Sequence, residues 1–239
     1  KYVPVNIEKA IYYLTLSSKQ DNYNAQLYLG EIFYNGSHVP RDINKAIYYF
    51  TLSSNFNNSN AQYYLGKIYC ENKYVPVNIE KAIYYLTLSS KQDDYNAQFY
   101  LGKIYYFGVY VPTDINKALY YFTLSSSLDN ENAQFYLGKI YYENKYVPRD
   151  INKAIFFFKL SASQGNAAAQ FILGRIYYNN KYVQRNTKEA IKYLTSSADQ
   201  YNSDAQFYLG QIYYEGRYVA RNITKAIHYF KEASCLNNQ

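Results

Sequence analysis

The sequence predicts an all-α chain, a right-handed α-solenoid built from 36-residue antiparallel helix pairs. Three observations predict it. Alanine stands at Ala10, Ala46, Ala82, Ala118, Ala154, Ala190 and Ala226, always 36 residues apart. The words around it recur as well, Lys-Ala-Ile-Tyr-Tyr-Phe in one half of the period and Ala-Gln-Phe-Tyr-Leu-Gly in the other. Both halves place apolar residues at i, i+4 and i+7, which lines one side of a helix. A period between about 20 and 50 residues marks units too small to bury their own apolar face and stable only against their neighbours. Residues 1–239 are expected to form one array of about six and a half helix pairs. Function is then expected on a surface spread over several repeats.

The first helix of each pair, helix A, carries Ala25, Leu29 and Ile32 on one side, with Tyr28 and Phe33 at its margins. It is expected to stop at Gly36, and in later copies at Asn72, Gly108, Asn144, Asn180 and Gly216, because Gly and Asn tolerate the left-handed conformation just past a helix end. A loop with Val39-Pro40, echoed at Val75-Pro76, Val111-Pro112 and Val147-Pro148, extends the backbone before the next start. That start, helix B, is marked by Asn6, Asp42, Asn78, Asp114, Asp150, Asn186 and Asn222, whose side chains can accept from first-turn amides. Ile43, Ala46, Ile47, Phe50 and Ser53 make its inward face. Each helix is about a dozen residues, roughly 18 Å long, and marginal in isolation. Gly30, Gly66, Gly102, Gly138, Gly174 and Gly210 fall in mid-helix, where glycine costs up to about 1 kcal/mol. They are expected to let helix A approach helix B closely, with the small Ala46-type residue opposite.

Composition narrows the classes further. The net charge of +7 permits an acidic partner or nucleic acid but identifies neither. Cys70 and Cys235 lie far apart with no Cys-x-x-Cys, which argues against a disulfide framework or a zinc site and for a reducing, cytoplasmic setting. No apolar run approaches the roughly 20 residues of a membrane span. There is no Met, and Lys1 falls in the loop before a helix, so the chain reads as a piece of a longer protein.

A first helix reading Ala-x-x-x-Leu-Gly-x-x-Tyr and a second reading Asp-x-x-Lys-Ala-x-x-Tyr-Phe resemble the Sel1-like repeat, a relative of the tetratricopeptide repeat. The clearest copy runs from Ser161-Ala162-Ser163-Gln164-Gly165-Asn166 into Ala169, Leu173, Gly174 and Tyr177. Most copies depart from the family in having Ser-Ser for Ala-Ala at the end of helix B and Asn for its loop Gly. The resemblance covers essentially the whole chain. It implies an α-solenoid that scaffolds protein complexes, without enzymatic activity.

The residues themselves argue the same way about chemistry. His38, His228 and Cys70 stand where other copies have Tyr, so each reads as a substitute within the period rather than a catalytic group. No phosphate loop, metal-ligand spacing or nucleophile elbow appears, and no cofactor is expected. The expected binding surface is the helix A face turned away from its core stripe, which lines the concave side in this family. It carries Leu27, Glu31 and Tyr34, then Tyr63 and Lys67, then Phe99, Lys103 and Tyr106. Later copies add Phe135, Lys139 and Tyr142, then Phe171, Arg175 and Tyr178, then Phe207, Gln211 and Tyr214. The result is a groove with aromatic sides and a basic stripe, suited to an acidic peptide or protein segment. The Phe positions also fit plain packing of one helix on the next. An RNA-binding array is the alternative, since aromatics among lysines suit base stacking, but one charge type offers no repeat-specific base reading, and Glu31 breaks the stripe. On the opposite, convex side, Tyr12/Leu16, Tyr48/Leu52, Tyr84/Leu88, Tyr120/Leu124 and Phe156/Leu160 form apolar i, i+4 pairs. They are expected to be covered by the parent chain or a second copy, unless coiling tucks them against the next helix B. A structural spacer or oligomerising module is the third reading.

Overall fold

The computed structural model describes residues 6–36 and 39–236, with only the backbone of Cys235 and Leu236, and among these it has thirteen α-helices and no strand. His38 and Lys1 therefore lie outside the described residues, as does the Cys235 side chain. Two compact units divide the chain, residues 1–125 and 126–239. The first holds α1 (Ile7–Ser18), α2 (Tyr23–Asn35), α3 (Ile43–Asn55), α4 (Ser59–Cys70), α5 (Ile79–Ser90), α6 (Tyr95–Phe107) and, up to Ser125, α7 (Ile115–Ser127). The second holds α8 (Glu131–Glu143), α9 (Ile151–Ser163), α10 (Ala167–Asn179), α11 (Thr187–Ala198), α12 (Ser203–Glu215) and α13 (Ile223–Leu236). Even-numbered helices are helix A and odd-numbered ones helix B. Consecutive helices form antiparallel pairs, and in each unit every helix packs on the next.

Local chemistry places the boundaries where the side chains demand them. The amides of Lys9, Lys45, Lys81, Lys117, Lys153, Glu189 and Lys225 donate to the caps Asn6, Asp42, Asn78, Asp114, Asp150, Asn186 and Asn222 at 2.9–3.1 Å. Helix A ends in the left-handed conformation at Gly36, Gly108, Asn144, Asn180 and Gly216, and Asn72 has φ 47°. A second left-handed site precedes each helix A, at Asp21, Asn57, Asp93, Asp129, Gly165 and Tyr201. The carboxamide or carboxylate that follows caps helix A: Asn22, Asn58, Asp94, Asn130, Asn166 and Asn202 accept from the amide three residues on.

The core of each unit is a row of small clusters. Ala46, Phe50, Ala61, Leu65 and Ile68 form one, and Ala154, Phe158, Ala162, Ala169, Leu173 and Ile176 form its counterpart in the second unit. Each fully buried Leu contributes about 1.5–3 kcal/mol of transfer free energy. Ser53, Ser125, Ser161 and Ser197 are fully buried and donate to the carbonyls of Tyr23, Tyr95, Glu131 and Ala167 at 2.7–2.9 Å. In these four pairs the bond ties the end of helix B to the start of helix A, which an Ala there could not do, whereas Ser89 at the same position makes no such bond.

The mid-helix glycines do mark a close approach, but the residue opposite differs from the expectation. A Cβ on Gly30 would lie 2.5 Å from the Phe50 ring, and on Gly102 2.5 Å from that of Phe122; Leu86 and Leu194 play this part for Gly66 and Gly174. The groove thus houses the bulky Phe50-type residue one turn beyond Ala46. Which residue of helix B meets the notch depends on the rotation between the two helices, which the period alone leaves open.

Candidate functional site

The expected binding face divides into two chemically distinct parts. Its aromatic positions are largely taken up by packing. Leu27 is buried beside Phe50 and Ala61. Phe99 lies against Phe122 at 5.9 Å between ring centroids, Phe135 against Phe158 at 6.0 Å, Phe171 against Tyr208 at 6.3 Å and Tyr63 against Tyr100 at 5.8 Å. Tyr106 and Tyr178 are only 6% and 8% exposed, and half-buried Tyr142 meets Phe158 edge-on. The Phe50-type residue turns toward this edge of helix A, so the packing reading of these positions describes what they touch.

The basic positions remain at the surface. Lys67 lies over the rings of Tyr34 and Tyr63 at 5.8 and 6.0 Å, and Lys103 over Phe99 and Tyr100 at 5.5 and 5.0 Å. Arg175 is exposed beside Phe171. None of these three forms an ion pair among the described residues, whereas Lys139 reaches Glu143 at 3.6 Å. At Glu31 burial lifts the carboxyl above its ordinary value, partly opposed by the Tyr64 hydroxyl. Gln211 is half-buried, and Phe207 and Tyr214 are exposed.

On the other side, Tyr12, Tyr48, Tyr84, Tyr120 and Phe156 are 57–59% exposed, while Leu52, Leu88, Leu124 and Leu160 are half-buried and Leu16 is exposed. The i, i+4 pairs therefore split: most of the leucines are half-covered and the rings stay open. His228 is exposed, 3.7 Å from Glu232 and beside the Tyr229 ring, consistent with an aromatic substitute.

Three periodic devices escaped the sequence reading. In the first, a helix A ring stacks almost parallel on a helix B ring, as in Tyr105–Tyr121 and Tyr213–Tyr229, with the Lys of the Lys-Ala pair over it: Lys117 lies 4.9 Å from Tyr105 and Lys225 5.0 Å from Tyr213. Ten of the 35 tyrosines sit in these stacks. In the second, the Gln of Ala-Gln is buried, and a glutamine 30 residues later donates to its Oε1: Gln92 to Gln62 at 2.9 Å, Gln164 to Gln134 and Gln200 to Gln170 at 2.8 Å. The recurrence of Gln was the available signal.

The third device is a clasp at the helix A ends. Arg41, Arg149 and Arg185 donate through Nε to the carbonyls of Tyr34, Tyr142 and Tyr178, satisfying orphan acceptors of the last turn. The same guanidiniums cover the loop tyrosines Tyr74, Tyr182 and Tyr218 of the next repeat, at 5.2, 4.9 and 3.5 Å. Those loop rings also receive Tyr34, Tyr142 and Tyr178 edge-on at 5.6–6.0 Å. Loop and helix thus lock by ring and guanidinium together.

Such a surface, periodic and built from residues that mostly serve their own neighbours, defines a helical-repeat protein. The chain belongs to the Sel1 repeat family: the Sel1 repeat model matches residues 1–22, 24–55, 59–94, 96–130, 132–166, 167–202 and 203–238. Among solved structures, a protective antigen of uropathogenic Escherichia coli strains displaying an SLR fold is 26% identical over 98% of this chain, with a TM-score of 0.88. A Sel1 repeat protein from Oxalobacter formigenes is 28% identical over 95% of the chain, with a TM-score of 0.84. This chain spans 50% of the first and 66% of the second. An immunity protein from Pseudomonas aeruginosa, 18% identical over 88% of this chain and 82% of its own, shares the fold with a TM-score of 0.58. No curated protein matches. Sel1 repeats generally mediate protein–protein interaction and are typically non-catalytic. No helix among the described residues is long and apolar enough to cross a membrane.

Proposed function

We propose that the chain is a non-catalytic scaffold, one array over residues 1–239, that holds an acidic peptide or protein segment on its helix A face. The observation that carries this reading is the state of Lys67, Lys103 and Arg175: surface cations lying over aromatic rings with no carboxylate partner among the described residues. A cation already held by a ring keeps its charge available and loses less side-chain freedom on meeting an anion. The packed state of Phe99, Phe135 and Phe171 supports a protein partner over RNA, because rings engaged with one another offer few free faces to bases.

A fluorescent oligoglutamate peptide provides the test, titrated at graded salt. Lys67→Glu with Lys103→Glu is expected to weaken its affinity about tenfold at low salt, each rim charge contributing on the order of 0.2–1 kcal/mol and reversal counting twice. Unchanged affinity overturns the proposal. Tighter binding of oligouridylate at equal salt overturns it in favour of nucleic acid.

A further inference from the structure

The clasp fails at one place in the first unit. Where Tyr34, Tyr142 and Tyr178 present a ring to the loop tyrosine of the next repeat, the residue before Tyr110 in this register is Cys70, and the Arg41-type position is Val77. Tyr110 thus lacks both halves of the clamp that holds Tyr74, Tyr182 and Tyr218. A crevice of about 220 Å³ opens in the space, lined by Cys70, Ile104 and Phe107, by the rings of Tyr100 and Tyr110, and by the opposite charges of Glu71 and Lys103. Its Tyr100 wall is held in place. Tyr100 donates to Glu71 at 2.6 Å and packs edge-on against Tyr63, and Ile104 is half-buried.

The sequence marks the same place. Residues 1–30 and 73–102 differ only at Asn22/Asp94 and Leu27/Phe99. Immediately beyond, the two copies exchange Glu31 for Lys103, Phe33 for Tyr105, Asn35 for Phe107, Ser37 for Val109, His38 for Tyr110 and Arg41 for Thr113, after which they agree again from Asp42 and Asp114 through Ala46 and Ala118. Four of these six exchanges fall on residues that line the crevice, bringing Phe107, Val109 and Tyr110 and the cation of Lys103 to it.

We propose that the crevice at Cys70 is a binding subsite for an aromatic side chain of a partner protein flanked by a carboxylate. The incoming ring takes the place that Tyr34, Tyr142 and Tyr178 occupy elsewhere, edge-on to Tyr110, and the carboxylate pairs with Lys103. The inference deepens the peptide-scaffold reading and rests on it. The three intact clasps specify the occupant, because the contact that is missing here is present three times within the chain. An aliphatic side chain would bury area but could not reproduce the edge-to-face geometry.

The probes are acetyl-Asp-Phe-Asp-amide and acetyl-Asp-Ala-Asp-amide, with Cys235→Ser as background so that Cys70 is the one thiol. Burial pushes the Cys70 thiol up to about 11, so its alkylation by iodoacetamide at alkaline pH is slow and reports what covers it. At five times its dissociation constant, measured by chemical-shift titration, the Phe probe is expected to slow alkylation about sixfold, while the Ala probe at equal concentration leaves it unchanged. Cys70→Tyr is expected to abolish the Phe-dependent shifts at Tyr110 and to raise Tm, since it rebuilds the clamp from within. Equal protection by the two probes, or Phe binding retained in Cys70→Tyr, overturns the subsite. Oligoglutamate binding separates the two proposals: its persistence in Cys70→Tyr with loss of Phe selectivity supports the subsite, and its absence from the unmutated chain removes the scaffold reading instead.

Discussion

Gly102 shows how one absent side chain sets the spacing of two helices. Its hypothetical Cβ meets Phe122 at 2.5 Å and 2.6 Å, a fully buried ring with no room to retreat. Gly102→Leu is therefore expected to cost roughly 1–3 kcal/mol by overpacking, read as a lower midpoint in thermal or urea unfolding. An unchanged midpoint would show that α6 and α7 separate freely. At this scale the sequence announced that something had to be bare, because an unforced glycine in mid-helix is costly. It could not announce Phe122, because the identity of the opposing residue is a tertiary fact. The same limit applies to Arg41 and Tyr74, 33 residues apart, whose contact depends on where the Val-Pro loop lies.

Among the elements, the two sets of helix caps differ in chemistry, and the difference predicts a pH response. Asp42, Asp114 and Asp150 sit in solvent, and the amides of Lys45, Lys117 and Lys153 hold their carboxyls below the ordinary value. A depressed folded-state pKa gives stability that is present above the unfolded value and is lost as pH falls through the folded one. Asp94 is the opposite case. It caps α6 where every other helix A has Asn, and burial raises its carboxyl despite the Ala97 and Asn96 amides and Ser89. Charge there costs stability at neutral pH. Asp94→Asn is expected to raise Tm at pH 7 and to lose that advantage as acid protonates the native carboxyl; joint replacement of Asp42, Asp114 and Asp150 by Asn is expected to flatten the acid fall. Unfolding curves from pH 7 to pH 3 check both, and a uniform response would show that burial makes no difference between the caps. Cap positions and helix ends were legible from sequence because they depend on a few adjacent residues. The burial that separates Asp94 from Asp42 depends on the neighbouring pair and was not.

For the whole molecule, the balance of charge is the property that no single repeat determines. The chain carries a net +7, and the Asp–Lys pairs at Asp42, Asp114 and Asp150 are exposed, i to i+3 and worth little. Self-repulsion is then the larger electrostatic contribution to stability. Moderate sodium chloride is expected to raise Tm at pH 7 relative to low salt, as scanning calorimetry would read; a fall would mean that cation–ring contacts, which salt also screens, outweigh the repulsion. Helical class and period were legible throughout, since the repeat states them seven times. The aromatic side of the expected groove was not legible as packing, because a ring on the edge of a helical stripe serves core and surface equally well.

The glutamine relay carries a consequence for how such a chain changes length. Gln92, Gln164 and Gln200 reach back 30 residues, in identical register, to the buried glutamine of helix A in the same pair, so the seam inside these three pairs is written in the same alphabet. Splicing whole 36-residue blocks in or out at matching positions keeps such a seam intact without compensating mutations, and the near-identity of residues 1–30 and 73–102 is the trace that copying a block of two repeats leaves. Growth by copying is therefore cheap for this architecture, and novelty is free to accumulate in whichever loop the seams do not use.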